Sequence, residues 1–256
     1  LKQHISEQHI ISDELLRYAY STDASMYRML PKLVIMAHDE NAIKHILNLA
    51  NKYNYPLTFR AAGTSLSGQA VTDSILVVLA NSSWQNYTIL DNGNKISLEP
   101  GIIGATANNH LLPYKRKIGP DPGSISAAKI GGIIANNSSG MCCGTSKNSY
   151  ATLSNLRAIL ANGVTLDTSN QVSSEQFARN NSGLIHGIMH IRGQIMNNPA
   201  LIKFIQQKFA IKNTSGYSLN AFIEYSDPIK IIERLLIGSE GTLGFVSNVT
   251  LNTVAD

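Results

Sequence analysis

Three stretches of this chain place bare main chain at the ends of apolar runs, and they limit the fold more than any other feature. The first, Arg60-Ala61-Ala62-Gly63-Thr64-Ser65-Leu66-Ser67-Gly68-Gln69, directly follows Leu57-Thr58-Phe59. The second is Gly119-Pro120-Asp121-Pro122-Gly123-Ser124, leading into Ile130-Gly131-Gly132-Ile133-Ile134-Ala135-Asn136-Asn137-Ser138-Ser139-Gly140. The third is Ile237-Gly238-Ser239-Glu240-Gly241-Thr242-Leu243-Gly244-Phe245-Val246. Small side chains let consecutive backbone N–H groups point into one concavity, which suits a diphosphate. Taken singly, the first stretch reads equally well as an ordinary loop. Gly131 and Gly132 fall inside an expected helix, Ser126–Ala135, with Ser124 or Ser126 as its cap. Mid-helix, each glycine costs roughly 1 kcal/mol against alanine. Helix packing explains one such glycine more easily than a pair, so something is expected to approach the backbone closely there. Glu240 is read as structural, bonding backbone amides of its turn, rather than catalytic.

The flanking pattern is mixed. Ser12-Asp13-Glu14 caps an opening helix. Leu33–Met36, Leu57–Phe59 and Ile75–Leu79 read as strands, with a helix from Asp39-Glu40 through Ile43, Ile46, Leu47 and Ala50. That order predicts a small α/β lobe with parallel pairing. Beyond Trp84, Tyr87–Leu90 and Ile96–Glu99 form an expected hairpin about Asp91-Asn92-Gly93-Asn94. A helix is expected over Ala105–Leu112, and a strand pair at Leu153–Leu160 and Val164–Leu166. Helices follow over about 183–208, then Ile229–Leu236 behind Asp227-Pro228, and a last strand at Phe245–Leu251. The expected organisation is a helical lead-in over 1–30, one lobe over 31–88 and a second, α+β lobe over 89–256.

Composition removes several classes. Hydrophobic residues make up 43% and charged residues 15%, which excludes disorder. The two cysteines, Cys142 and Cys143, are adjacent, excluding a disulfide scaffold and a four-ligand zinc or iron–sulfur site within the chain; two buried thiols are expected. No apolar run reaches about 18 residues. The net charge of +4 is spread thinly, with Lys115-Arg116-Lys117 the one tight basic cluster, so a nucleic-acid interface is not expected. The pattern G-x-G-x-x-G after a strand and the P-loop pattern are both missing. His186 and His190 lack the glutamate of a zincin, and no metal site is expected.

Together, the three segments resemble the FAD-binding, PCMH-type domain of the vanillyl-alcohol oxidase superfamily. The likeness is greatest to the bacterial FAD/iron–sulfur branch of D-lactate and D-2-hydroxyglutarate dehydrogenases. It runs from about residue 21 to the end and includes Lys212-Asn213-Thr214-Ser215-Gly216-Tyr217-Ser218-Leu219-Asn220. The resemblance implies a two-lobe fold with a small α/β lobe, a larger mixed and antiparallel lobe, and FAD between them. It implies cofactor contacts from Ala62, Gly63, Thr64, Ser65, Leu66, Ser67, Gly68 and Gln69. From the second segment it implies Pro120, Asp121, Ser124, Gly131, Gly132, Asn136, Ser139 and Gly140, and from the third Glu240, Gly241 and Val246. Some relatives attach FAD through a histidine of the first loop; here Thr64 stands in that place, so a non-covalent flavin is expected.

The implied chemistry is hydride transfer from a D-2-hydroxy acid to flavin N5. Which hydroxy acid and which electron acceptor are left open. The catalytic base is left unassigned, because in this family it comes largely from a C-terminal substrate domain. That domain and an iron–sulfur region are expected beyond this chain, which alone is expected to be inactive. Lys212, Tyr217 and Asn220 are candidates to approach the flavin. A cytoplasmic location is expected, with peripheral inner-membrane association of the whole protein left open. Two alternatives remain at this stage: an FAD-dependent reductase of the cell-wall precursor type, and a basic binding domain without flavin.

Overall fold

The computed structural model describes residues 5–80 and 83–256; the first four residues of the expected lead-in lie outside them. The strands, in chain order, are β1 (Ile10–Ile11), β2 (Leu33–Ala37), β3 (Leu57–Arg60), β4 (Ile75–Leu79) and β5 (Tyr87–Leu90). They continue with β6 (Lys95–Leu98), β7 (Arg116–Ile118), β8 (Leu153–Leu160), β9 (Thr165–Asp167) and β10 (Gly244–Ala255). The molecule is α+β, with two sheets and helices packed on them.

The first sheet has the order β1-β2-β4-β3. Strands β2, β4 and β3 are parallel, with β3 at one edge, while β1 adds an antiparallel strand at the other. The runs Leu33-Val34-Ile35-Met36-Ala37 and Ile75-Leu76-Val77-Val78-Leu79 are apolar at every position, as expected of strands covered on both faces. One face is covered by the helix Glu40–Tyr53, which buries Ala42, Ile43, Ile46, Leu47 and Ala50. Asp39 accepts from the Ala42 amide at 2.8 Å to start this helix, and Asn54 ends it at φ 55°. The opening helix also forms, over Glu14–Ala19 behind Asp13, but β1 precedes it.

The second sheet is antiparallel, ordered β5-β6-β10-β8-β9, with β7 also on β10. The final strand is longer than its apolar core suggests, twelve residues, and pairs with β6, β7 and β8. Arg116 and Lys117 of the basic cluster begin the edge strand β7, and Lys115 precedes it at φ 55°. Arg116 donates to the Thr253 hydroxyl and carbonyl, and Lys117 pairs with Asp256 at 3.0 Å. The helix expected over Ser126–Ala135 is a correction: only Ile130–Ala135 is helical. Its forward part is turns, because the Ser124 carbonyl accepts from the Ala127 and Ala128 amides. Neither serine caps it; Lys129 occupies that position.

The two sheets meet through side chains. Phe245 and Ile159 of the second sheet are buried with Ile35 of the first, with Ile43 and Ile46 of the helix that covers it, and with Trp84 of the loop beyond β4. The Phe245 ring lies 5.2 Å from both Phe59 and Trp84. Beside this contact, Arg157 on β8 forks onto Glu40 (Nε to Oε1 2.7 Å, Nη2 to Oε2 3.0 Å) and reaches Asp167 at 2.8 Å. Ser247 also donates to Glu40, at 2.6 Å. Burial works against ionisation of Glu40, but the Arg157 fork and the Ser247 hydroxyl outweigh it and hold the carboxyl below its ordinary value.

Because a depressed carboxyl favours the folded state only while ionised, this stabilisation is present above the ordinary carboxylate range. It is lost as pH falls through the folded value. Arg157→Met is expected to cost about 1–2 kcal/mol at neutral pH, the guanidinium being partly solvent-screened. It should also flatten the acid side of the stability profile. Chemical denaturation of both proteins between neutral and acid pH checks this; parallel profiles would refute it.

Candidate functional site

All three small-residue segments converge on one cavity of about 640 Å³ between the sheets. That lies within the roughly 300–1,000 Å³ span of small-molecule and cofactor sites. The first segment leaves the end of β3, where a parallel strand's carboxyl end opens a crevice. Its shape is set from beneath by Arg60, which is buried and donates through Nε to the Ala70 carbonyl at 2.8 Å and through Nη2 to the same oxygen. The Ala24 amide bonds the Gly63 carbonyl at 2.9 Å from outside. Within the loop, Ser65 donates to Gln69.

One carboxyl ties the segments together. Glu240, in the third, accepts from Asn136 of the second at 2.6 Å and also bonds Gln69 of the first. Its own amide donates to the Ala135 carbonyl at 2.9 Å, and the Gly238 amide to Ile134 at 3.1 Å. Ser138 completes the chain by donating to Asn136 Oδ1 at 3.0 Å. Glu240 is therefore structural, but its partners are side-chain amides of other segments rather than backbone amides of its own turn. It sits at φ 53°, a left-handed conformation that glutamate adopts only at a cost. Burial pushes its carboxyl above the ordinary value, with the Asn136 and Gln69 bonds pulling the other way.

The helix glycines divide their roles. A Cβ on Gly131 would stand 2.9 Å from Pro100 Cβ, so packing requires that glycine. A Cβ on Gly132 would have only Ala61 Cβ, at 3.8 Å, for a neighbour, and the bare main chain there faces the first loop across the cavity. Neither is mid-helix, since the helix begins at Ile130.

Of the residues expected from sequence, Ala62, Gly63, Thr64, Ser65, Leu66, Ser67 and Gln69 line the cavity. So do Ser124, Gly131, Gly132, Asn136, Ser139, Glu240, Gly241 and Val246. Four do not. Gly68 makes room for the Tyr27 ring, Gly140 packs against the Asp121 carbonyl, and Pro120 and Asp121 are not part of the lining. Lys212 lines the cavity beside Thr214–Gly216 and donates to the Ser139 carbonyl. Tyr217 instead bonds Thr242 at 2.8 Å and Asn220 bonds Glu224 at 2.9 Å, both away from the wall. Sequence reasoning missed Arg60 as the loop's support and Lys129 as a wall residue; the latter's only signal was its place just ahead of Ile130-Gly131-Gly132.

Several features fit a ligand with an anion and hydrogen-bonding groups. Among the described residues, the Ser139 hydroxyl oxygen is buried with no partner while its residue lines the cavity. The lining side chains include three cations and one carboxyl. Elsewhere the structure is less suggestive. His186 and His190 are exposed on the helix Ser182–Met196, and no group of three or more metal-ligating side chains occurs among the described residues. Only one of the two thiols is buried: Cys142 is exposed, Cys143 is not, because the turn carries the first outward. No helix among the described residues is long and apolar enough to cross a membrane.

Residues 31–169, more than half of the chain, match the family model described as FAD binding domain. D-2-hydroxyglutarate dehydrogenase of Escherichia coli is 26% identical over 98% of this chain, which spans 25% of that protein. Glycolate oxidase subunit GlcD of Bacillus subtilis is 25% identical over 93% of the chain and 40% of its own length. Among solved structures, alkyldihydroxyacetonephosphate synthase superposes with a TM-score of 0.63 at 17% identity, over 99% of this chain and 39% of that one. The chain thus spans well under half of the relatives it matches.

The Glu240 bridge has a measurable signature. A carboxyl raised by burial favours the folded state when protonated, and that contribution fades as pH rises through the folded value. Glu240→Gln is expected to be neutral or stabilising at neutral pH, with a flatter profile above the carboxylate range. Glu240→Ala should cost about 1–3 kcal/mol, by leaving the Asn136 and Gln69 amides unpaired. Thermal unfolding of the three proteins at acid and neutral pH tests both; equal destabilisation by Gln and Ala would contradict the bridge.

Proposed function

The chain belongs to the FAD binding domain family, and on that premise we propose that its cavity holds FAD non-covalently for a dehydrogenase of 2-hydroxy acids. The observation that carries this reading is the convergence of three bare main-chain segments on one cavity, bound together by Glu240. The buried, unpartnered Ser139 hydroxyl and the excess of cations on the wall suit a diphosphate-containing dinucleotide. The names of the relatives, D-2-hydroxyglutarate dehydrogenase and glycolate oxidase, support the substrate class.

In this reading the backbone amides of 62–69 hold the diphosphate, and Gln69 and Asn136 are kept in place through Glu240. Ser124, Gly132 and Ser139 form the facing wall, with Gly241 and Val246 closing the third side. Bound FAD supplies a hydride acceptor, its N5 atom, for the C2 hydrogen of the substrate. This chain's share is to bind, orient and partly desolvate; none of its lining side chains is assigned as the base that takes the hydroxyl proton. We assign 31–88 and 89–256 as the two cofactor lobes, and the base and carboxylate-binding groups to a domain outside this chain. Leu66, 78% exposed while lining the cavity, supports such a cover. No histidine lies in the first loop, where Thr64 stands, which supports a dissociable flavin.

The full-length protein is expected to be yellow, to bleach anaerobically with a D-2-hydroxy acid, and to release its flavin on acid or chaotrope treatment. Bleaching by NADPH but not by D-lactate, glycolate or D-2-hydroxyglutarate would replace the dehydrogenase reading with a reductase. Flavin that remains with the denatured chain would refute non-covalent binding.

A further inference from the structure

Three cations line the cavity, and two of them are already committed. Arg60 is bound to the Ala70 carbonyl and Lys212 to the Ser139 carbonyl. Lys129 is different. Among the described residues no hydrogen bond or ion pair engages its side chain, although it is only partly exposed. The one carboxyl on the wall, Glu240, is turned to Asn136 and Gln69. Burial alone pushes the ammonium below its ordinary value, with no neighbouring acid to offset it. A half-buried cation on a cavity wall, with no counter-charge among the described residues, is suited to an anionic partner.

Its position says what would relieve it. Lys129 lies three residues ahead of Gly132, whose bare backbone faces Ala61 at the root of the first loop. Pro122, Gly123 and Ser124, which carry no charge, line the wall beside it. The 62–69 loop and Lys129 line the same cavity, so an anion cradled by the loop shares that space with this side chain.

We infer that the Lys129 ammonium is the direct counter-ion of the ligand's diphosphate, so that this site recognises its dinucleotide by charge as well as by backbone amides. The inference rests on the flavin reading but is separable from it, because ADP carries the same diphosphate without the flavin and riboflavin carries the flavin without the diphosphate. An ion pair in a partly dehydrated cavity is stronger than one on an open surface and weakens with salt as far as solvent reaches it.

The test uses the full-length apoprotein, titrated with FAD, ADP and riboflavin at low and high salt. Lys129→Met should weaken FAD and ADP by about tenfold or more at low salt, as for loss of a charge-assisted contact. The deficit should shrink at high salt, riboflavin affinity should stay unchanged, and Lys129→Arg should restore most of the loss. Unchanged FAD and ADP affinity in Lys129→Met would overturn the inference, and so would an equal loss for riboflavin, which marks a packing role. A wild-type protein that ignores FAD and riboflavin, yet binds ADP in a Lys129-dependent way, would sink the flavin reading and uphold the role of the lysine.

Discussion

Hydrogen bonds to the half-buried Glu240 carboxyl tie together the loops that line the cavity. Backbone can be left bare around a ligand only if something else fixes the loops that supply it, since glycine and serine carry little packing of their own. Here Gln69, Asn136 and Glu240 come from three distant parts of the chain and meet at one point. Arg60 performs the matching task beneath the first loop, by gripping the Ala70 carbonyl. The polar cost of these buried groups is offset because each finds a partner.

That local arrangement is useful only if the two sheets keep a fixed distance. Phe245, at the start of the central strand of the second sheet, inserts among the apolar side chains of the first, and Arg157 pins Glu40 across the same seam. The third segment thus has the cavity on one side and the inter-sheet core on the other. Gly241 and Phe59 are close neighbours there, within 3.3 Å of a Cβ built on the glycine. Wall and core are one structure, which is why a dinucleotide-sized opening survives between sheets that pack tightly beside it.

Much of this is legible in the residues. The buried parallel strands announce themselves as unbroken apolar runs, and Asp39 and Asp227 mark their helices by side-chain caps. The convergence of the segments is legible only from their joint likeness to a family, because no local pattern says that Gln69 will meet Glu240. The failures have physical causes too. Strand β7 is invisible because Lys115-Arg116-Lys117 has no apolar alternation; partners 137 residues later make it a strand. The helix before Asn136 is overextended by sequence reasoning because the Ser124 carbonyl diverts the preceding amides into turns. Gly68 and Gly140 share motifs with wall residues, yet serve to let a ring or a neighbouring backbone pass.

Recognition in the proposed reading is divided between neutral main chain and a few charged side chains. Such a division predicts that ligand binding is felt by all three segments at once, since no one of them forms a complete site. Amide hydrogen exchange of the full-length protein with and without FAD measures this directly. Protection that rises together over 62–69, 131–139 and 239–246 is the expected result. Protection confined to one of these stretches, or appearing only elsewhere in the molecule, would contradict the shared cavity.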